Sequence, residues 1–157
     1  KAKIAAINFH PGPPKYRGVG CLNYAVYKNE KYYGVTAHLM KKKVDYGEIL
    51  KVQRFKIYKK NSLDKTLEIT HRKLFLIAIL FIKKIIQNRL DINKLIKQNN
   101  FRWSKKIKSK SDLDNFYIIN KHIAKKKLQN KLRATITKKF KPYIIIHNKK
   151  FYIEDEK

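Results

Sequence analysis

The sequence predicts an α/β fold: parallel strands, one long helix, and a small C-terminal α+β tail that ends in a hairpin. Three observations carry this. All five glycines lie between Gly12 and Gly47, and three of the four prolines lie between Pro11 and Pro14, so the tight loops crowd into the first third. Short apolar runs in that third stop at those loops, as buried strands do. A helical stretch then opens on a capping residue and runs uninterrupted for about seven turns.

Each element has its own justification. "KIAAINF" (Lys3–Phe9) is a short apolar run ending at a turn, which reads as a buried parallel strand. "CLNYAVYKN" (Cys21–Asn29) forms a helix with Leu22, Ala25 and Val26 inward. "YYGVTAHLM" (Tyr32–Met40) is a second strand. "GEILKVQRFKIY" (Gly47–Tyr58) is a third, whose alternation slips midway and marks a bulge. Asn61 or Ser62 caps the long helix, Asp64 sits in its first turn, and the helix reaches about Asn88. Its middle, "LFLIAILFI", is apolar on every side and is expected to be covered. A lysine-rich connector around Trp103 and Ser104 follows. "PYIIIH" and "NKKFYIED" flank His147-Asn148 as the closing hairpin. The expected division is a first unit over 1–95 and an extension over 96–157.

Charge limits the partners. Lys+Arg number 39 against 11 Asp+Glu, a net of +28. Such a field favours nucleic acid, nucleotide phosphates or an anionic surface. The excess is mostly lysine, spread along the chain with many isoleucines and asparagines, which equally fits codon drift in an A+T-rich genome. Lysine without arginine clusters is a weak readout signal. The single Cys21 excludes an internal disulfide and a cysteine zinc site, and a reducing cytoplasm is the default. His71, His122 and His147 lack ligand spacing, so no metal is assigned. The longest apolar run, Leu74 to Ile82, is too short to span a bilayer. The chain begins at Lys1 and its only methionine is Met40, so an incomplete translation product is expected.

The chemistry concentrates at "NFHPGPPKYRG" (Asn8–Gly18). Asn8 and His10 lie two residues apart, so a strand that continues to His10 points both to one face. The proline loop then bends the backbone away and leaves them at a strand's C-terminal end, where open α/β sheets bind ligands. Taken singly, Asn8 is as easily a turn residue, His10 a structural histidine and Asp45 a turn carboxylate. Asp45 stands out because the first sixty residues hold only Glu30, Asp45 and Glu48 as carboxylates.

Four pieces occur in order: Asn8-Phe9-His10-Pro11, Tyr16-Arg17-Gly18, Gly34-Val35-Thr36-Ala37-His38, and Val44-Asp45-Tyr46-Gly47-Glu48-Ile49. Together they resemble the 10-formyltetrahydrofolate-dependent formyltransferase family. The likeness is firm over about residues 3–58. The loop "HPGPPKYRG" is closer to the nucleotide-sugar amine branch than to the "HPSLLP" pattern of the tRNA and purine enzymes. "KLRATITKKFKPYIIIHNKKFYI" is similar to the tail of that sugar branch. The resemblance implies the C-terminal part of a Rossmann-like domain whose earlier strands, with part of the folate pocket, precede Asn8.

It also implies roles. Asn8, His10 and Asp45 would be catalytic: Asn8 binding the formyl oxygen, His10 stabilising the oxyanion and carrying the proton, and Asp45 holding His10 or a bridging water. A carboxylate beside His10 favours its imidazolium form. The three side chains are expected to converge on one cavity at the C-terminal ends of parallel strands. Gly47, with Val44, would sit beside the 10-formyltetrahydrofolate donor. Tyr16, Arg17 and His38 would lie on the substrate side, Arg17 toward a phosphate, although a solvated loop arginine explains it as well. Cys21 is a small core residue. Phe101, Trp103, Phe116 and Tyr117 either stack on a nucleotide base or pack in the core. The implied acceptor is a small-molecule amine, foremost a nucleotide-linked amino sugar. Methionyl-tRNA, a non-catalytic basic nucleic-acid binder and an inactive truncated remnant are the alternatives.

Overall fold

The computed structural model describes residues 5–154. The start of the first expected strand, Lys3 and Ile4, lies outside them. Strand β1 (Ile7–His10) leads into the proline loop and a two-residue strand, β2 (Arg17–Gly18), then helix α1 (Cys21–Tyr27). Strands β3 (Tyr32–Leu39) and β4 (Ile49–Lys56) follow, then the long helix α2 (Leu63–Ile86). The remainder holds α3 (Ile92–Lys97), β5 (Ile107–Lys108), α4 (Lys110–Phe116), α5 (Lys125–Thr135), and the strands β6 (Tyr143–Ile146) and β7 (Lys149–Tyr152).

The central sheet has the order β1-β3-β4, and both of its pairings are antiparallel. The sequence expectation of parallel strands is corrected for these pairings. The connection from β3 to β4 is only residues 40–48, shorter than the dozen or more that a parallel crossover needs. Among the described residues the short β2 and β5 pair in parallel, and Ile118 makes an isolated parallel bridge to Tyr143. The expected bulge is present: Ala37 opposes Lys51 and His38 opposes Ile49, which leaves Leu50 extra.

Alternation sorts the sheet into two faces. Ile7 and Phe9 of β1, with Val35 and Ala37 of β3, pack against Ile77 and Phe81 of α2. Phe9 meets Phe81 edge-on at 5.7 Å. The residues between them, Asn8, His10, Thr36 and His38, point to the opposite face. A second core joins Leu22, Ala25 and Val26 of α1 to Leu63 and Ala134, with Tyr33 at the sheet's end.

Ser62 caps α2 by accepting from the Lys65 N–H, and Asp64 stands in the first turn. The expectation that α2 is covered all round does not hold. Leu63, Thr66, Thr70, Ile77 and Phe81 are buried along one stripe, whereas Phe75, Leu76, Ile82 and Ile86 are exposed. One sheet face covers one side of a helix, and among the described residues nothing lies over the other. The terminal hairpin forms as expected. His147 and Asn148 both take left-handed backbone, φ 46° and 62°, as a two-residue hairpin turn demands.

Candidate active site

β1 and β3 place Asn8 directly opposite His38, and His10 opposite Thr36. The loop after β3 brings Asp45 up against them. Asp45 itself has φ 47°, a left-handed conformation that aspartate tolerates better than most residues. The loop stays close because Gly47 has no side chain: a Cβ there would lie 1.6 Å from the Leu39 carbonyl oxygen.

The resulting cluster is buried and polar. His10, His38 and Asp45 are 4%, 2% and 5% exposed, and Asn8 is half-buried. Asp45 Oδ2 accepts from the Gly18 N–H at 2.9 Å and lies 3.4 Å from His10 Nδ1. Its other oxygen, Oδ1, is 3.6 Å from His38 Nε2. Asn8 Nδ2 is 3.0 Å from the same His38 nitrogen. His10 Nε2 donates to the Tyr16 carbonyl at 2.8 Å. The structure therefore brings Asn8, His10 and Asp45 together, with His38 as the piece that joins Asn8 to Asp45. They meet across the face of an antiparallel pair and the loop beyond it, not at the shared ends of parallel strands.

The electrostatics modify one expectation. Burial lowers the His10 pKa below its ordinary value and outweighs the raising effect of Asp45. The neutral ring is favoured, not the imidazolium that the neighbouring carboxylate alone implies. Burial also acts on Asp45 and raises it. The neighbouring His38 ring, the proximity of His10 and the Gly18 N–H together overcome that and leave its pKa lowered. Both nitrogens of His10 face protein groups, so the ring must turn before it can exchange a proton with anything outside.

The other expected site residues fall as follows. The Arg17 guanidinium donates to the Ser104 and Val44 carbonyls and lies against the Tyr46 and Trp103 rings. It is buried as a tie between loops, which sets aside the alternative of a solvated loop arginine. Tyr16 is buried and its hydroxyl donates to Glu30. The Val44 side chain is exposed. The Gly47 carbonyl accepts from Trp103 Nε1 at 2.7 Å. Cys21 is buried, donates to the Gly18 and Tyr16 carbonyls, and has its pKa pushed up to about 12 by burial.

Sequence reasoning offered Trp103 as a stacking or core aromatic and missed its place beside the two histidines. Its ring meets His38 edge-on at 5.0 Å and His10 at 5.8 Å, so it walls the cluster. Phe116 packs on Tyr24 and Tyr27 beside the core, and Phe101 is exposed. A cavity of about 310 Å³ lies beyond the proline loop, with Tyr32, Phe101, Arg54 and Arg102 in its wall. It includes none of Asn8, His10, His38 or Asp45, so the expected convergence on one cavity holds for the side chains and not for that cavity. Among the described residues no group of three or more metal-ligating side chains occurs, and no helix is long and apolar enough to cross a membrane.

The fold is similar to that of solved formyltransferases, with a TM-score of 0.77 to a 4-N formyltransferase from Francisella tularensis at 20% identity. That superposition covers 98% of this chain and 62% of the other. An N-formyltransferase from Helicobacter canadensis, solved with folinic acid and dTDP-3-aminofucose, matches at TM-score 0.70 and 23% identity, over 92% of this chain and 52% of that one. Residues 1–76, just under half of the chain, match the family model described as formyl transferase.

The curated relatives carry two different names. The bifunctional polymyxin resistance protein ArnA of Wigglesworthia glossinidia brevipalpis is 43% identical over 61 residues, 38% of this chain and 9% of that protein. The methionyl-tRNA formyltransferase of Prochlorococcus marinus is 33% identical over 89 residues, 55% of this chain and 27% of that protein. The chain thus spans about a quarter or less of these relatives' lengths.

Proposed function

We propose that the protein is a folate-dependent N-formyltransferase that moves a formyl group from 10-formyltetrahydrofolate to the primary amine of a nucleotide-linked amino sugar. The observation that carries this is the buried cluster of Asn8, His10, His38 and Asp45. Formyl transfer makes a carbon–nitrogen bond to the acceptor amine and breaks the one to the folate nitrogen. The amine loses a proton and the folate nitrogen gains one. Such chemistry needs a donor for the developing oxyanion, a proton carrier, and a group that steadies the carrier.

The residues suit those tasks. The Asn8 amide supplies a neutral donor at the half-buried edge of the cluster. His10, neutral by burial, is ready to accept the amine's proton once its ring turns from the Tyr16 carbonyl. Asp45 then stabilises the imidazolium, and His10 passes the proton to the leaving nitrogen. Trp103 keeps water from the ring face. Val44 and Gly47 would stand beside the formyl donor, which supplies the activated carbon.

The sugar reading draws support from the loop Pro11–Tyr16 and from the sugar N-formyltransferases among the structural relatives. Tyr32, Phe101, Arg54 and Arg102 in the wall of the 310 Å³ cavity suit a base and its phosphates. A second reading, methionyl-tRNA as acceptor, is favoured by the tRNA-acting relatives and by the net charge of +28. The test offers the protein 10-formyltetrahydrofolate with a dTDP-linked amino sugar or with methionyl-tRNA, and weighs the products. Formylated sugar is expected. Formylated methionyl-tRNA alone moves the assignment to the second reading, and transfer to neither removes both.

A further inference from the structure

His38 has one nitrogen whose state is fixed and one whose state is not. Its Nδ1 lies 2.7 Å from the Leu39 carbonyl oxygen. A carbonyl only accepts, so Nδ1 carries a proton in the neutral and the charged ring alike. Nε2 faces two groups: Asn8 Nδ2 at 3.0 Å and Asp45 Oδ1 at 3.6 Å. Those neighbours make opposite demands. An amide nitrogen donates, and so needs a bare Nε2. A carboxylate accepts, and so draws a proton onto Nε2.

The Asn8 amide resolves this by its orientation. Its nitrogen and oxygen ends are nearly the same size, and the Asn χ2 torsion is broad and two-fold, so a half-turn fits one space. With Nε2 bare, Asn8 directs Nδ2 inward and Oδ1 outward. With Nε2 protonated, Asn8 directs Oδ1 inward to accept, and Nδ2 turns outward as a free donor. We propose that His38 is a positioning residue whose Nε2 proton sets which end of the Asn8 amide faces out of the cluster, and that the protonated ring turns the donor end toward the formyl oxygen.

The surroundings support the charged ring as the productive one. Asp45 gives its two oxygens to different partners: Oδ2 to the Gly18 N–H and His10, and Oδ1 to His38. One carboxylate thus serves two histidines, the proton carrier and the ring that aims Asn8. The groups facing His38 are few. β1 contributes Asn8 and, two register positions on, His10. The loop after β3 contributes Asp45, and the segment before β5 contributes the Trp103 ring edge, with the Arg17 guanidinium on that ring. β4 places the uncharged Ile49 opposite. The stated use of the Asn8 donor rests on the formyl-transfer reading, whereas the amide turn does not.

Long-range 1H–15N NMR of the histidine rings, followed in the unmodified protein as the pH is varied, tests this. The Asn8 side-chain amide signals are expected to move together with the His38 Nε2 signal and not with that of His10. Asn8 signals that stay fixed, or that follow His10 instead, overturn the proposal. Turnover gives the second arm. His38→Phe is expected to lower kcat by about 10²–10³, the usual cost of losing one oxyanion donor. His38→Phe with Asn8→Ala is expected to be no slower than Asn8→Ala alone, because the histidine acts through the amide. Multiplying losses contradict that. Linked signals without formyl transfer keep the amide turn and discard the formyl reading.

Discussion

Replacing Gly47 by alanine tests how the site is held. The new Cβ would lie 1.6 Å from the Leu39 carbonyl oxygen and 2.6 Å from its carbon, both backbone atoms of β3. Neither can move away as a flexible side chain would, so the loop carrying Asp45 must lift. Forcing a methyl into a packed site costs typically about 1–3 kcal/mol. Lifting the loop also strains the 2.7 Å hydrogen bond from Trp103 to the Gly47 carbonyl, a bond worth about 1 kcal/mol. The sum, about 2–4 kcal/mol, is a large part of an ordinary domain's stability of about 5–15 kcal/mol. Urea unfolding followed by fluorescence reads it directly, since Trp103 is the only tryptophan and lies in the site. With a urea slope of about 2 kcal/mol per molar, the midpoint should fall by about 1–2 M. Gly34→Ala is the control: its Cβ comes no closer than 3.0 Å to another atom, and a strand position prefers alanine to glycine. Unfolding of Gly47→Ala at the wild-type midpoint, with unchanged Trp103 emission, would refute the argument that the missing side chain seats this loop.

Two other outcomes follow from the same geometry. Asp45 is held below its ordinary pKa, so its contribution to stability is present above the unfolded value and is lost as pH falls through the folded one. Asp45→Asn should therefore flatten the acid side of the stability curve, measured by urea midpoints from neutral pH downward, and should lower turnover at least about a hundredfold. Cys21 is buried with its pKa pushed up to about 12, so iodoacetamide should leave it unmodified in the native protein and label it readily in urea, with labelling read by mass. Cys21→Ala should leave turnover within about twofold of wild type.

The alternation of β1 was legible because two apolar residues, Ile7 and Phe9, bracket Asn8. That pattern puts the polar pair on the face away from Phe81 whatever strand lies alongside. The direction of that neighbour was not legible, since a period of two looks the same in parallel and antiparallel sheets. Ser62 and Asp64 announced the start of α2, and His147-Asn148 announced the hairpin, because both signals are local. The helices α3, α4 and α5 were hidden within what reads as a lysine-rich connector. Asp91 caps the first, and Ser109 with Asp112 forms a reciprocal capping box at the second, so those starts were written in the chain. Trp103 could not be placed, because its partner Gly47 lies far away in sequence. The protonation of His10 also escaped. A sequence shows that a carboxylate is available, but not that the ring will be buried deeply enough for desolvation to win.

In the proposed reaction His10, steadied by Asp45, carries the proton of the formyl transfer. The most direct measurement is the rate of formyl transfer from 10-formyltetrahydrofolate to a dTDP-linked amino sugar by the protein and by its His10→Ala variant, with product identified by mass. Removing the proton carrier should cost about 10²–10⁴ in kcat. Wild-type turnover that persists unchanged in a folded His10→Ala protein would contradict the account.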